Sequence, residues 1–219
     1  MRYIFFDLDG TLTEPKEGIA NSIMYAFERI GVPHSKNIDD YGKYIGPPLR
    51  ESFVKYGNVD ADRVEEALSL YREYYSVKGI LENELYPGID ELLSRLKADG
   101  YKLALATSKP HVYAVRVLEC FDLNKYFDFI SGSELDGTRD SKSDVVKYAL
   151  DELMISANDA IMVGDRSFDA LGAGEHGVRC IGVTYGHGTK EELINAGAVD
   201  MADDTNELYE KIIQLDKNM

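Results

Sequence analysis

Asp7 and Asp9 stand one residue apart at the end of the apolar run YIFF, and Gly10 and Thr11 follow them. Two carboxylates about 4 Å apart repel by roughly 4 kcal/mol at an effective dielectric of 20. A buried strand end that carries such a pair needs a cation, a proton or both to offset the repulsion. Further along, Thr107, Ser108 and Lys109 follow the apolar run LALA. Asp165 and Asp169 lie in the tract GDRSFD, just after a third apolar run, and Lys142 opens a helical pattern before it. This collection of acids, hydroxyls and amines suits Mg²⁺ and a phosphoryl group.

The chemistry can be built from need. Mg²⁺ takes oxygen ligands in an octahedron and usually keeps several waters. Asp7 and Asp165 could supply two carboxylates, and a backbone carbonyl and a phosphate oxygen would add to the shell. Lys142 adds a fixed positive charge, and Thr107 can donate a hydroxyl hydrogen bond to a phosphate oxygen. One acid can attack phosphorus and form an aspartyl-phosphate, which splits a hard step into two. A second acid can protonate the leaving oxygen and later take a proton from water. Alternation along an extended segment sends Asp7 and Asp9 to the same side. A metal-bound carboxylate is held charged, so the ligated acid should be the nucleophile. Chemistry alone leaves open which of the two that is.

These residues need a frame that brings them together. Strand-like runs at 3–6, 102–107, 128–131, 160–164 and 179–184 alternate with helical patterns. Ile89, Leu92, Leu93 and Leu96 mark one apolar helix face, and Val145, Val146, Ala149, Leu150 and Leu153 another. Tyr113, Val117, Leu118 and Phe121 mark a third, and Thr189 with Glu192 is a capping-box signal for a late helix. This alternation predicts an α/β fold with a parallel sheet covered on both faces. Ligands of such sheets collect at the carboxyl ends of the strands.

One stretch breaks the alternation. Residues 17–31 and 61–78 read as helices, and between them YGKYIGPPLRESF carries Gly42, Gly46, Pro47 and Pro48 and reads as a loop. The expected organisation is a core from residues 1–13 and 83–219 with an α-helical cap domain inserted at 14–82. Lys43 and Arg50 in that loop are candidates to hold a substrate carboxylate or second phosphate, against the plainer reading of solvated surface charge. Tyr71, Tyr74 and Tyr75 read as packing within the insertion. His34, His111, His176 and His187 show no ligand spacing and read as structural or surface residues.

The bulk numbers narrow the field. The 219 residues are 44% hydrophobic and carry a net charge of −15. That balance argues against nucleic acid and anionic membranes as partners, because the broad basic surface they need is missing. An anionic substrate must therefore be attracted locally. The opening apolar run is too short for a secretory leader, and no stretch reaches the roughly 20 apolar residues of a membrane helix. Cys120 and Cys180 lie in apolar patterns and are expected as buried thiols, which fits a cytoplasmic protein. Nothing in the sequence specifies an oligomeric state.

FFDLDGTLT, ATS, an isolated lysine and MVGDRSFD occur in that order. They resemble the four motifs of the haloacid dehalogenase-like hydrolase superfamily. The cap position and IGPPL resemble its phosphoglycolate phosphatase-like branch, whose members also include 5′-nucleotidases and pyrophosphatases. The resemblance implies a Rossmann-like core with a helical cap inserted after the first motif, and a Mg²⁺-dependent phosphatase acting on a small phosphorylated metabolite. Asp7 would be the nucleophile, and Asp9 the acid/base, with its carbonyl on the metal. Thr107, Ser108 and Lys142 would hold the phosphoryl group, and Asp165 and Asp169 would complete the metal site. The dehalogenases that name the superfamily lack the aspartate at the Asp9 position. Two departures stand out. The third motif often reads Lys-Pro and here reads SKSD, which leaves Lys147, inside the helix, as the alternative to Lys142. Asparagine is common where Lys109 stands, and the extra cation would favour a more anionic substrate. Ser108 has a second reading, as a helix cap before Pro110. A sugar phosphomutase sharing the first half-reaction and a non-enzymatic phospho-receiver are the alternative functions.

Overall fold

The computed structural model describes residues 2–218. The chain opens with β1 (Tyr3–Phe6) and β2 (Thr13–Glu14), followed by α1 (Lys16–Ile30), α2 (Leu49–Gly57) and α3 (Val64–Tyr74). Next come β3 (Glu84–Leu85), α4 (Ile89–Ala98), β4 (Lys102–Pro110), α5 (His111–Cys120), β5 (Phe129–Ser133) and α6 (Lys142–Leu153). The last part holds β6 (Ala160–Gly164), α7 (Ser167–Gly174), β7 (Arg179–Val183), α8 (Lys190–Asn195), β8 (Asp200–Ala202) and α9 (Thr205–Lys217).

Six strands form one sheet in the order β5-β4-β1-β6-β7-β8. All neighbours are parallel. β1 is central, with Phe6 opposite Leu105 on one side and Val163 on the other. Ile4, Phe5 and Phe6 are fully buried, as are Ile161, Met162 and Val163. Such continuous apolar runs mark strands covered on both faces. On one face Phe5, Ala104, Ala106 and Met162 pack with Val145, Val146 and Ala149 of α6 and with Ala170 and Ala173 of α7. The chain steps from β1 out to β4 and β5, then crosses back to β6 and onward. The strand order therefore reverses beside β1, where open α/β sheets place their ligands.

Two compact units make up the chain: Glu14–Glu84, and the remainder up to Thr13 and from Leu85. The two passages between them, β2 and β3, pair with each other in a two-stranded ribbon. Within the smaller unit, α1 and α3 pack with a helical turn at Ile38–Tyr44 and a π-helical turn at Tyr75–Gly79. Its interior is aromatic. Phe27 and Phe53 lie 5.3 Å apart, edge to face, and Tyr71 stacks on Tyr75 at 5.4 Å. Tyr74 stands at the rim and donates to Glu82.

Three sequence expectations need correction. YGKYIGPPLRESF is not all loop, because α2 starts at Leu49. Proline fits the start of a helix, where its missing N–H costs nothing, so Pro48 opens a helix here. Cys120 is exposed, whereas Cys180 is buried. Cys120 ends α5, off the stripe of Tyr113, Ala114, Val117 and Leu118 that faces inward. Ser108 caps no helix, since α5 starts at His111 after Pro110.

Candidate active site

The tract after β1 folds back on itself. The Asp7 N–H continues the ladder to the Val163 carbonyl at 2.9 Å, and the Leu12 and Thr13 N–H groups both donate to the Leu8 carbonyl. Gly10 takes φ +87° at the turn, a conformation that glycine adopts without strain. The fold-back holds Asp7 and Asp9 at the carboxyl end of the central strand.

Lys142 reaches the same place from the start of α6, where the Ser141 hydroxyl caps the helix by accepting from the Asp144 N–H. Its Nζ lies 2.6 Å from Asp7 Oδ1 and 2.9 Å from Asp169 Oδ1, and donates to the Ala106 carbonyl at 3.0 Å. Burial favours the neutral amine, but Asp169 and Asp7 outweigh it and raise the ammonium above its ordinary range. Lys147 pairs instead with Asp151 on the exposed side of α6.

Asp165, directly after β6, is completely buried. Its Oδ2 accepts from the His187 N–H at 2.7 Å, and its Oδ1 accepts from the Thr11 hydroxyl at 3.3 Å. Burial, then Asp169 and Asp7, raise its carboxyl well above the usual carboxylate range. Asp169 sits in the first turn of α7, where Oδ2 accepts from the Arg166 N–H at 3.0 Å. Burial lifts it to about 6, against the pull of Lys142. Carboxylate oxygens of Asp7, Asp165 and Asp169 all lie within 4.8 Å of one another. Three buried acids against one ammonium leave an excess of negative charge, which a divalent cation can offset.

Asp9 is held apart from that cluster. Its Oδ2 pairs with Lys109 Nζ at 2.7 Å, while its Oδ1 is buried without a hydrogen-bond partner. Burial raises its carboxyl from the ordinary value, Lys109 opposes this, and Asp7 adds to it. Thr107 is buried at the end of β4, and its hydroxyl oxygen accepts from the Lys109 N–H at 3.2 Å, which leaves its own proton to donate. Ser108 is half-buried beside it, and its carbonyl accepts from the Ser133 hydroxyl at 2.7 Å. The larger unit thus brings Asp7, Asp9, Thr107, Lys109, Lys142, Asp165 and Asp169 together at the strand ends. Lys43 and Arg50 lie in the smaller unit and engage its own residues. Lys43 stands over the Tyr44 and Tyr56 rings, and Arg50 pairs with Glu65.

Sequence reading missed three supports. The His187 main chain and the Thr11 hydroxyl hold Asp165, and Glu192 holds the turn beside it. Glu192 Oε1 receives Arg166 Nε at 3.0 Å, the Ser167 N–H at 2.8 Å and the Ser167 hydroxyl at 2.7 Å. The signal for the first was the tract TYGHG after β7, since loops at the carboxyl ends of strands face the ligand. Gly186 shows how tightly that loop packs. A Cβ there would lie 2.2 Å from the Gly10 carbonyl oxygen and 2.5 Å from Asp165 Cβ.

A parallel sheet with acids, a hydroxyl and buried lysines at its switch point fits an enzyme that acts on phosphate esters. The sequence profile of the haloacid dehalogenase-like hydrolases matches residues 4–183, and the chain belongs to that family. It is 44% identical to a 5′-nucleotidase of Pseudomonas aeruginosa over 88% of each chain. It is 40% identical to the tyrosine-protein kinase PtkA of Mycobacterium tuberculosis, over 84% of this chain and 62% of that one. The crystal structure of a predicted phosphatase from Clostridium acetobutylicum superposes with a TM-score of 0.94 at 45% identity, covering 97% of this chain and 98% of that one. Among the described residues, no helix is long and apolar enough to cross a membrane.

Proposed function

We propose that this phosphatase is Mg²⁺-dependent, hydrolyses a small phosphate monoester through an aspartyl-phosphate on Asp7, and works in the cytoplasm. The observation that carries the reading is the division between the two acids of the first tract. Asp7 belongs to the buried three-carboxylate cluster, while Asp9 is held by a different lysine. The groups present fit the ion: oxygen donors only, buried, and in excess over the cation that faces them. Asp7 and Asp165 would hold it with the main-chain carbonyl of Asp9, and Asp169 would support them. Its charge would offset the acid cluster and the phosphoryl oxygens.

The chain's own residues then divide the reaction. Lys142 and the Thr107 hydroxyl orient the phosphoryl group. An Asp7 oxygen forms a bond to phosphorus as the bond to the leaving oxygen breaks, and Asp9 delivers a proton to that oxygen. In the second half, Asp9 takes a proton from water, whose oxygen attacks phosphorus. Inorganic phosphate leaves and Asp7 is regenerated. Two unpaired thiols, Cys120 and Cys180, suit a reducing compartment.

Phosphate release from p-nitrophenyl phosphate, followed with Mg²⁺ and with EDTA, tests this reading. Turnover that needs Mg²⁺ is expected, and a panel of phosphorylated metabolites ranked by kcat/KM then identifies the substrate. Absence of release, or release that survives EDTA, overturns it.

The packing of Gly186 adds a prediction. Gly186→Ala is expected to displace Asp165 and raise the Mg²⁺ concentration for half-maximal activity by roughly 10- to 100-fold, the usual cost of losing a support around a metal ligand. Calorimetric Mg²⁺ titration reads the same change without turnover. An unchanged affinity in both measurements would show that the 185–188 loop does not position Asp165.

A further inference from the structure

Lys109 is the site's second lysine, and the roles proposed above give it no task. It stands where β4 and β5 lose register. Thr107 pairs with Gly132, but Pro110 pairs with the very next residue, Ser133, so Ser108 and Lys109 bulge out of the ladder. Bulges beside active sites re-aim side chains. Here Thr107 and Lys109 are both buried, and Ser108 between them is not. The ammonium ends 2.7 Å from Asp9 Oδ2, on the opposite oxygen from the one that lacks a partner.

That arrangement defines a place for a substrate atom. If Asp9 serves the leaving oxygen, its unpartnered Oδ1 is the atom that meets it. One carboxylate then holds the leaving oxygen on one side and Lys109 on the other. With ordinary hydrogen-bond lengths at both oxygens, ammonium and leaving oxygen are roughly 5–7 Å apart. An anionic group one or two bonds beyond the leaving oxygen falls within ion-pair reach of Lys109. The charges of the site agree. The four acids and two lysines sum to minus two, which a divalent cation would cancel, and Lys109 is the one of those lysines that pairs with Asp9. In a chain of net charge −15, an anionic leaving group has no broad positive field to draw on and needs such a local cation.

We propose that Lys109 is a specificity-determining residue that fits the site to phosphate esters or anhydrides whose leaving group carries its own anion next to the bridging oxygen. The inference rests on the assignment of Asp9 to the leaving group. A neutral alcohol of the same size leaves the ammonium with nothing to gain from the substrate.

The test compares matched substrates. 2-Phosphoglycolate and ethyl phosphate differ in a carboxylate against a methyl group, and pyrophosphate offers a phosphate in its place. Wild-type protein is expected to favour 2-phosphoglycolate, pyrophosphate or both over ethyl phosphate in kcat/KM. Lys109→Met should cut kcat/KM for the favoured anionic substrates about 10- to 100-fold more than for ethyl phosphate, the range of a hydrogen bond to a charged group. The larger loss identifies the anion as carboxylate or phosphate. Lys109→Arg should recover most of the discrimination. Equal losses on all three substrates would overturn the proposal and leave Lys109 as a residue that only orients Asp9. If Lys109→Met does not fold, wild-type protein that shows no preference for the anionic members overturns it instead. Failure of the parent reading looks different, because wild-type protein would then release no phosphate even from p-nitrophenyl phosphate.

Discussion

Replacing Asp7 by Asn will reduce phosphate release by at least about 10⁴-fold, the scale on which removal of a nucleophile acts. The amide keeps the size and shape of the side chain but has no anionic oxygen to bond to phosphorus. The fold should survive. Lys142 loses one partner but keeps Asp169 at 2.9 Å and the Ala106 carbonyl at 3.0 Å, so its charge is not stranded. One of three mutually repelling carboxylates also disappears. Thermal unfolding without metal should therefore show a Tm no lower than that of the unaltered protein. Circular dichroism and steady-state phosphate release read the two halves of this expectation. Residual turnover above about 1% would remove Asp7 from the role of nucleophile.

The second large effect is on stability, and it couples pH to Mg²⁺. Asp165 and Asp169 both titrate above their ordinary value in the folded protein, Asp169 at about 6. An acid raised in this way binds its proton more tightly folded than unfolded. For Asp169 the favourable contribution is complete below about 4 and is lost as pH rises through about 6. Metal-free protein should thus lose this part of its stability between pH 4 and neutrality. Mg²⁺ should act in the opposite direction, since an ion held by the ionised acids would compete with their protons. At pH 7 and a concentration of 100 times its dissociation constant, it should add about 3 kcal/mol. For a chain of this length that is about 5–10 °C in Tm. At pH 5 the gain should shrink markedly. Comparing Tm with Mg²⁺ and with EDTA at each pH cancels every other titrating group. An equal gain at pH 5 and pH 7, or a gain that persists in Asp165→Asn, would show that the ion binds elsewhere.

The fold class was legible because its strands are buried on both faces and read as unbroken apolar runs. The run at 160–164 coincides with β6 residue for residue. β8 escaped because its three residues, Asp-Met-Ala, form a short and partly polar edge strand with no such run. α2 escaped because two adjacent prolines read as the middle of a loop as readily as the start of a helix. Side chains of the candidate site were legible for a related reason. Acids and lysines at strand ends are anomalous where apolar residues belong, and the anomaly can be seen in one dimension. The supports were not. His187 acts through its main-chain N–H, which every residue but proline carries, so its type says nothing about the role. Glu192 signalled the start of a helix, and Thr189 does cap α8, but the glutamate side chain turns to Arg166 and Ser167 instead of completing the box. Spacing alone does not separate those two uses.

The ribbon of β2 and β3 has an evolutionary consequence. The chain leaves the sheet unit and returns to it through adjacent strands, and the Tyr86 N–H bonds the Leu12 carbonyl at 3.1 Å just beside them. Departure and re-entry thus share one doorway, so a splice of a few residues would close it. Lineages could trade, enlarge or prune the intervening helices while the acid cluster keeps its place at the strand ends, and new metabolic tasks could arise by recombination at that doorway.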